Sequence, residues 1–356
     1  MTDSRGLEAL PAYRLGGRGS SKGVRVVYSS FDPATAILEV AVHKGFRTSP
    51  RHAGAYTLHL VIEGFAMAIE HEVAIKPDIV FAEHDGAKLL GDLYRPKAPS
   101  KAPVLVGVHG GGWQLGDRKF YRHWGSYLAK HGYAVFAIEY RLMKPGTGTW
   151  PGVVGDCKAA VQFVRAEAAD LGLDPDRVGM IGDSAGAHLS ALVALAGDEP
   201  PFSSQYRDDP YGATPAGVKA VVGFYGVYDM AAQWEHDQIT RPRDSVTEKL
   251  LGGPPMISRK TFFEASPLSY ATVDKNSTRF LLIYGREDDI VDPATQSEKF
   301  LTALKQAGFF ARTIVVPGAG HFWSVDPVEE PGSFGAYAGP KVLRFLAGAF
   351  PDAAEG

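Results

Sequence analysis

Cysteine is nearly missing: Cys157 is the only one in 356 residues. A lone thiol closes no internal disulfide, which excludes a disulfide-stapled secreted framework. Long apolar runs are missing as well. None reaches the roughly 18 residues a membrane helix needs, so no membrane association is expected. The opening stretch from Met1 to Gly17 is polar and lacks the apolar centre of a signal peptide, so a cytoplasmic location is expected. Positive charge is not in excess. The 37 Lys and Arg stand against 40 Asp and Glu, for a formal net charge of −3, which is not the footprint of a nucleic-acid binder. Histidine and cysteine never fall at H-E-x-x-H or paired-ligand spacing, so neither a metal nor a cofactor is expected. Repeats and low-complexity tracts are absent too. What the chain does have is apolar material, 45% hydrophobic against 22% charged residues, enough for a sizeable core in one large domain or two moderate ones.

From about Pro77 onward, strand-like runs alternate with helical patterns. The strands are Val104–Val108, Ala134–Tyr140, Arg177–Ile181, Val218–Phe224, Arg279–Tyr284 and Arg312–Val316. They are apolar on both faces, as strands of a parallel sheet covered by helices should be. Helices are expected over 120–131, 152–170, 185–196, 294–307 and 337–349. This rhythm predicts an α/β domain with a mostly parallel, doubly wound sheet over 77–352. Residues 227–276 interrupt it and are expected to form a small cap over the strand C-termini. Residues 1–76 form an N-terminal extension, expected to dock on the domain, lid it or make a subunit contact, and a homo-oligomer is left open. Within it, Asp32-Pro33 reads as a helix start running toward Gly45, and Tyr56–Ile62 and Val24–Tyr28 read as strands.

Gly182-Asp183-Ser184-Ala185-Gly186 fits G-x-S-x-G between a buried strand and a helix, the context of a nucleophile elbow. Gly19-Ser20-Ser21-Lys22-Gly23 also fits the letters, but follows a Gly-rich loop and reads as a turn. His109-Gly110-Gly111-Gly112-Trp113 directly follows a strand, where consecutive backbone N–H groups can hold an oxyanion. The base should follow the nucleophile in the chain. Of eleven histidines, His321 stands in a Gly-rich loop after the last strand, His236 in the insertion, and His188 on the nucleophile's own helix, where packing is expected. The acid belongs in the loop after Arg279–Tyr284, which offers Glu287, Asp288, Asp289 and Asp292. Spacing alone does not choose among them.

Taken together, HGGGW, GDSAG, Tyr140-Arg141-Leu142, Leu250–Gly253, Ala265-Ser266-Pro267 and the GAGHF loop resemble the hormone-sensitive-lipase-like carboxylesterase branch of the α/β-hydrolase superfamily. The resemblance covers residues 77–350. Its G-x-x-D-x-x-V pattern falls on Gly285, Asp288 and Val291 and so implies Asp288 as the acid, with Ser184 as nucleophile and His321 as base. It implies Gly111, Gly112 and Ala185 as oxyanion donors. Tyr284 and Phe322-Trp323 depart from the branch, which often carries histidine and Gly-Phe there. The implied activity is hydrolysis of carboxylic esters of small molecules through an acyl-enzyme. An arylformamidase-type amidase is the rival on the same fold, and a non-catalytic binding protein the rival outside enzymes. Trp113, Phe322 and Trp323 are expected to wall an apolar pocket, crowded by Tyr228, Trp234, Phe262 and Phe263, that favours acetyl to about hexanoyl esters. Residues 12–65 show a second, weak resemblance, to the start of RES-type domains, carried by Tyr13-Arg14, Arg25–Tyr28 and Ala36–His43. That family implies NAD breakdown, which makes an NAD-consuming protein the third rival, with the later part of the family's pattern missing here.

Overall fold

The computed structural model describes residues 26–28, 38–41, 57–60, 70–98, 101–144 and 146–351. The chain divides into two compact units, Met1–Ile69 and Glu70–Gly356. In the first, β1 (Val26–Tyr28), β2 (Leu38–Ala41) and β3 (Thr57–Leu60) form an antiparallel sheet in that order. The expected helix after Asp32-Pro33 is therefore corrected: Leu38–Ala41 is a strand. A start signal is local, whereas this segment has a pairing partner on each side, and ladder bonds on both edges override the local preference. The strands expected near Val24–Tyr28 and Tyr56–Ile62 are present. The Gly19–Gly23 turn and Tyr13-Arg14 lie outside the described residues.

The second unit holds an eight-stranded sheet built from β4 (Val73–His84), β5 (Ala87–Pro96), β6 (Ala102–Val108), β7 (Ala134–Ile138), β8 (Leu173–Asp183), β9 (Ala220–Phe224), β10 (Arg279–Gly285) and β11 (Ala311–Val316). Their order is β11-β10-β9-β8-β6-β7-β5-β4, with β5 alone running against the rest. The mostly parallel, doubly wound sheet is the one expected. Because β4 belongs to it, the unit opens at Glu70, ahead of the boundary expected at 76/77. The β4–β5 hairpin escaped the sequence reading because β4 is half exposed, carries Pro77 and breaks register twice, so its alternation is not continuous.

Helices cover both faces. On one lie α2 (Gly152–Ala166), α3 (Ala168–Leu171), α4 (Ala185–Ala196) and α8 (Lys299–Gln306), packed on Val104, Val106 and Val108. On the other, α1 (Arg122–Lys130) and α9 (Phe334–Ala349) pack on Leu105, Val135 and Ile283. Burial on both faces explains why these strands read as unbroken apolar runs. The insertion holds α5 (Met230–Thr240), α6 (Val246–Leu251) and α7 (Arg259–Glu264).

At the end of β4, buried His84 ties the hairpin to the body. Its Nδ1 faces Asp156 Oδ1 of α2 and its Nε2 faces Asp209 Oδ2, both at 2.6 Å, so both nitrogens serve as donors only when the ring is protonated. Arg141 pairs with Asp156 and Asp85 around it, and the Tyr206 ring stacks on the imidazole at 3.6 Å. Burial pulls the His84 pKa down, but the bonds and charges of Asp156 and Asp209 outweigh it and the net direction is up. A raised histidine pKa stabilises the fold fully below the unfolded value of about 6.5, and the contribution is lost as pH rises through the folded value. His84→Ala should therefore cost about 3–5 kcal/mol at pH 6, the scale for breaking a buried ion pair. The wild type should lose more melting temperature than the variant between pH 6 and pH 9. Parallel melting curves across that range would refute the linkage.

Candidate active site

The strand order reverses beside β6: the chain steps from β6 to β7 on one side, then returns to β8 on the other. Crevices at the C-terminal ends of strands at such a reversal are where open α/β sheets bind ligands. Both motifs arrive there. Val108 ends β6 and leads into His109–Trp113, and Asp183 ends β8 and hands Ser184 to α4. Ser184 has φ 50° and ψ −117°, a strained conformation for a residue with a side chain, held by its N–H bond to Phe224 O at 2.9 Å. Gly186 is dictated by close approach, since a Cβ there would lie 2.0 Å from Val108 O.

The structure brings Ser184, His321 and Asp288 together. His321 Nδ1 lies 2.7 Å from Asp288 Oδ2, and His321 Nε2 lies 3.0 Å from Ser184 Oγ. Asp288 Oδ1 accepts from the N–H groups of Ile290 and Val291 at 3.0 and 2.9 Å, which fixes the carboxylate and leaves Oδ2 for the histidine. With Nδ1–H donating to Asp288, Nε2 keeps its lone pair toward the serine hydroxyl. The acid and base side chains are 0% and 2% exposed, so water competes weakly for these bonds. The other carboxylates of the loop face elsewhere. Glu287 and Asp289 are exposed, and Asp292 caps the helical turn through Ala294 and Thr295. His236 bonds the Asp289 carbonyl instead. His188 is a packed histidine, accepting at Nδ1 from Trp113 Nε1 and donating at Nε2 to Ala265 O, with burial pushing its pKa down to about 4.

Gly111 and Gly112 follow the end of β6, and Ala185 directly follows Ser184. Ala185 opens α4, whose first N–H groups have no partner within the helix and whose dipole favours negative charge. Gly111 has φ 117°, and a Cβ there would sit 2.0 Å from Leu115 O. Gly110 N donates to Asp183 Oδ1 at 3.0 Å, locking this loop to the end of β8. Burial pushes the Asp183 carboxyl up to about 7, against the opposing pull of that N–H. Gly111→Ala should displace the loop and lower kcat for ester hydrolysis about 10²- to 10³-fold, the scale for losing one oxyanion donor, with far-UV circular dichroism unchanged. An unimpaired variant would exclude this loop from the chemistry.

The structure buries four of the rings expected around the pocket. Trp113 and Trp323 are 1% and 3% exposed and belong to the two cores; the indole of Trp113 is held by His188, and Trp323 packs edge-on against Phe224. Tyr228 and Phe262 of the insertion are likewise core, because apolar rings beside a sheet gain more by burial than by lining an opening. Phe322 alone of the three expected wall residues is exposed. The insertion does meet both sides of the site: Gln233 and His236 bond the acid loop, and Val246 lies within 3.7 Å of where a Gly112 Cβ would stand. A cavity of about 510 Å³ lies between this insertion and the loop after β7, lined by Gln114, Met143, Trp150, Leu250 and Leu251.

Tyr225 is a site residue that the sequence reading missed. Its ring lies 4.4 Å from that of His321, and its hydroxyl accepts from Ser324 N at 3.2 Å, pinning the loop that carries the histidine. Its place directly after β9, at the C-terminal edge of the sheet, is the signal that could have found it.

The BD-FAE family profile matches residues 91–304. The RES domain profile matches residues 1–141, overlapping the first over 91–141, which the structure places in and around β5, β6 and β7. Among curated proteins, the chain is 31% identical over 254 residues to the probable carboxylic ester hydrolase LipM of Mycobacterium tuberculosis, covering 67% of this chain and 54% of LipM. It is 32% identical over 269 residues to esterase LipC of the same organism, covering 71% and 61%. The chain thus spans little more than half the length of these relatives. Among solved structures, a truncated carbohydrate esterase from gut microbiota superposes with a TM-score of 0.64 at 24% identity, covering 79% of this chain and 97% of that one. Esterase Est2 of Thermogutta terrifontis gives 0.62 at 23% identity, covering 81% and 95%. These structures share the fold of this chain over about four fifths of its length.

Proposed function

The chain belongs to the BD-FAE family, and on that footing we propose that it is a serine carboxylic-ester hydrolase working through an acyl-enzyme. One observation carries this: the unbroken relay from Asp288 through His321 to Ser184, at 2.7 and 3.0 Å. Ser184 Oγ attacks the ester carbonyl while His321 Nε2 takes its proton, and Asp288 stabilises the imidazolium. The amides of Gly111, Gly112 and Ala185 hold the oxyanion. The ester C–O bond then breaks, the alkoxide leaves with the proton that His321 took, and water, activated by the same histidine, releases the acid.

The substrates proposed are small-molecule esters with short to medium acyl groups. Est2 of T. terrifontis has been solved with propionate and with butyrate bound, which supports acyl groups of that size for this fold. A series of p-nitrophenyl esters tests this directly. The expected profile of kcat/KM peaks between acetyl and hexanoyl and falls steeply beyond, and a flat or rising profile out to palmitoyl would contradict it. Phenyl acetate run against formanilide separates the esterase from the amidase.

A further inference from the structure

We infer that Phe322 is a substrate-contacting, specificity-determining residue that receives the alcohol portion of the ester and selects alcohols carrying an aromatic ring. The inference rests on the ester-hydrolase reading of the site and adds the class of leaving group. Three observations meet at this residue. Its ring stands edge-on to the His321 ring, with centroids 4.5 Å apart and planes at 86°. The side chain is 58% exposed and belongs to neither core, unlike the neighbouring Trp323 at 3%. Its backbone is left-handed, with φ 67° and ψ 0°, a region that a bulky residue occupies only at a cost and that glycine enters freely.

Strain of this kind persists where something else over-determines it, and such positions cluster at ligand clamps and active sites. Core packing supplies no compensation here, because the ring is mostly in solvent and its aromatic contact is with His321. The chemistry says which end of the substrate the ring meets. His321 takes the proton from Ser184 Oγ and delivers it to the oxygen of the departing alkoxide, so that oxygen must pass beside Nε2. The other aromatic ring against His321 is Tyr225, with centroids 4.4 Å apart, and it is buried. The exposed aromatic surface next to the base is therefore that of Phe322. An aromatic alcohol can pack against it, and ring pairs of this type gain beyond simple burial.

Benzyl acetate and ethyl acetate share the acyl group and both release an alkoxide, so they differ chiefly in the ring. The ratio of their kcat/KM values is measured for the wild type and for Phe322→Gly, Phe322→Ala and Phe322→Tyr. The ratio should favour benzyl acetate in the wild type and fall about threefold to tenfold in the glycine and alanine variants, mainly through KM, with tyrosine retaining it. Glycine relieves the left-handed strain while alanine keeps it, so a shared loss of the ratio assigns the effect to the ring. An unchanged ratio in both variants overturns the inference, and if both rates fall equally Phe322 only steadies His321. A wild type that hydrolyses neither ester overturns the ester-hydrolase reading itself, and this inference with it.

Discussion

Replacing Ser184 by alanine is expected to lower kcat on p-nitrophenyl butyrate by a factor on the order of 10⁶, the scale for losing the nucleophile of a serine triad. The loss is chemical, because without Oγ no acyl-enzyme forms and only the oxyanion donors and binding remain. The fold should survive, since the hydrogen bond of this hydroxyl runs to His321 Nε2 and the strained backbone is held by main-chain bonds to Phe224 and His188. The control is Ser21→Ala in the other G-x-S-x-G sequence, which should leave the rate unchanged. A fluorophosphonate probe should label the wild type once, at Ser184. Activity surviving in Ser184→Ala but lost in Ser21→Ala would move the site to the other end of the chain.

Asp288→Asn should cost on the order of 10⁴ in kcat, the effect of a wrong histidine tautomer in a triad. The neighbours dictate how the amide must sit. Ile290 and Val291 donate N–H groups to Oδ1, so the asparagine oxygen takes that place and its NH₂ turns to His321 Nδ1. An NH₂ donor there forces the imidazole proton onto Nε2, which then points a proton at Ser184 instead of a lone pair. Asp289→Asn should change kcat no more than a few-fold, because that residue is exposed and stands outside the Ser184–His321–Asp288 relay. Equal losses in the two variants would show that Asp288 is not the acid. Circular dichroism should be native in both.

The sequence by itself determined the fold class and placed Ser184 and the His109–Trp113 loop at the ends of strands, because those depend on local constraints. A parallel strand buried on both faces must be apolar throughout, and a serine on a strand-to-helix turn needs small neighbours at Gly182 and Gly186. Residue spacing narrowed the acid to four carboxylates and could go no further, since all four share one loop. Tertiary structure sets Asp288 apart from the other three, since it accepts two backbone N–H groups and meets a histidine 33 residues away. It also decided where the aromatics went. Trp113 and Trp323 look like pocket walls when read beside the motifs, yet each found a buried partner from another part of the chain. The β4–β5 hairpin and the strand at Leu38–Ala41 depended likewise on distant pairing partners. Tyr225, 96 residues before His321, is brought against its ring only by the fold. A linear reading sees which residues can do chemistry, while burial, register and tautomer are set by contacts between residues far apart in the chain.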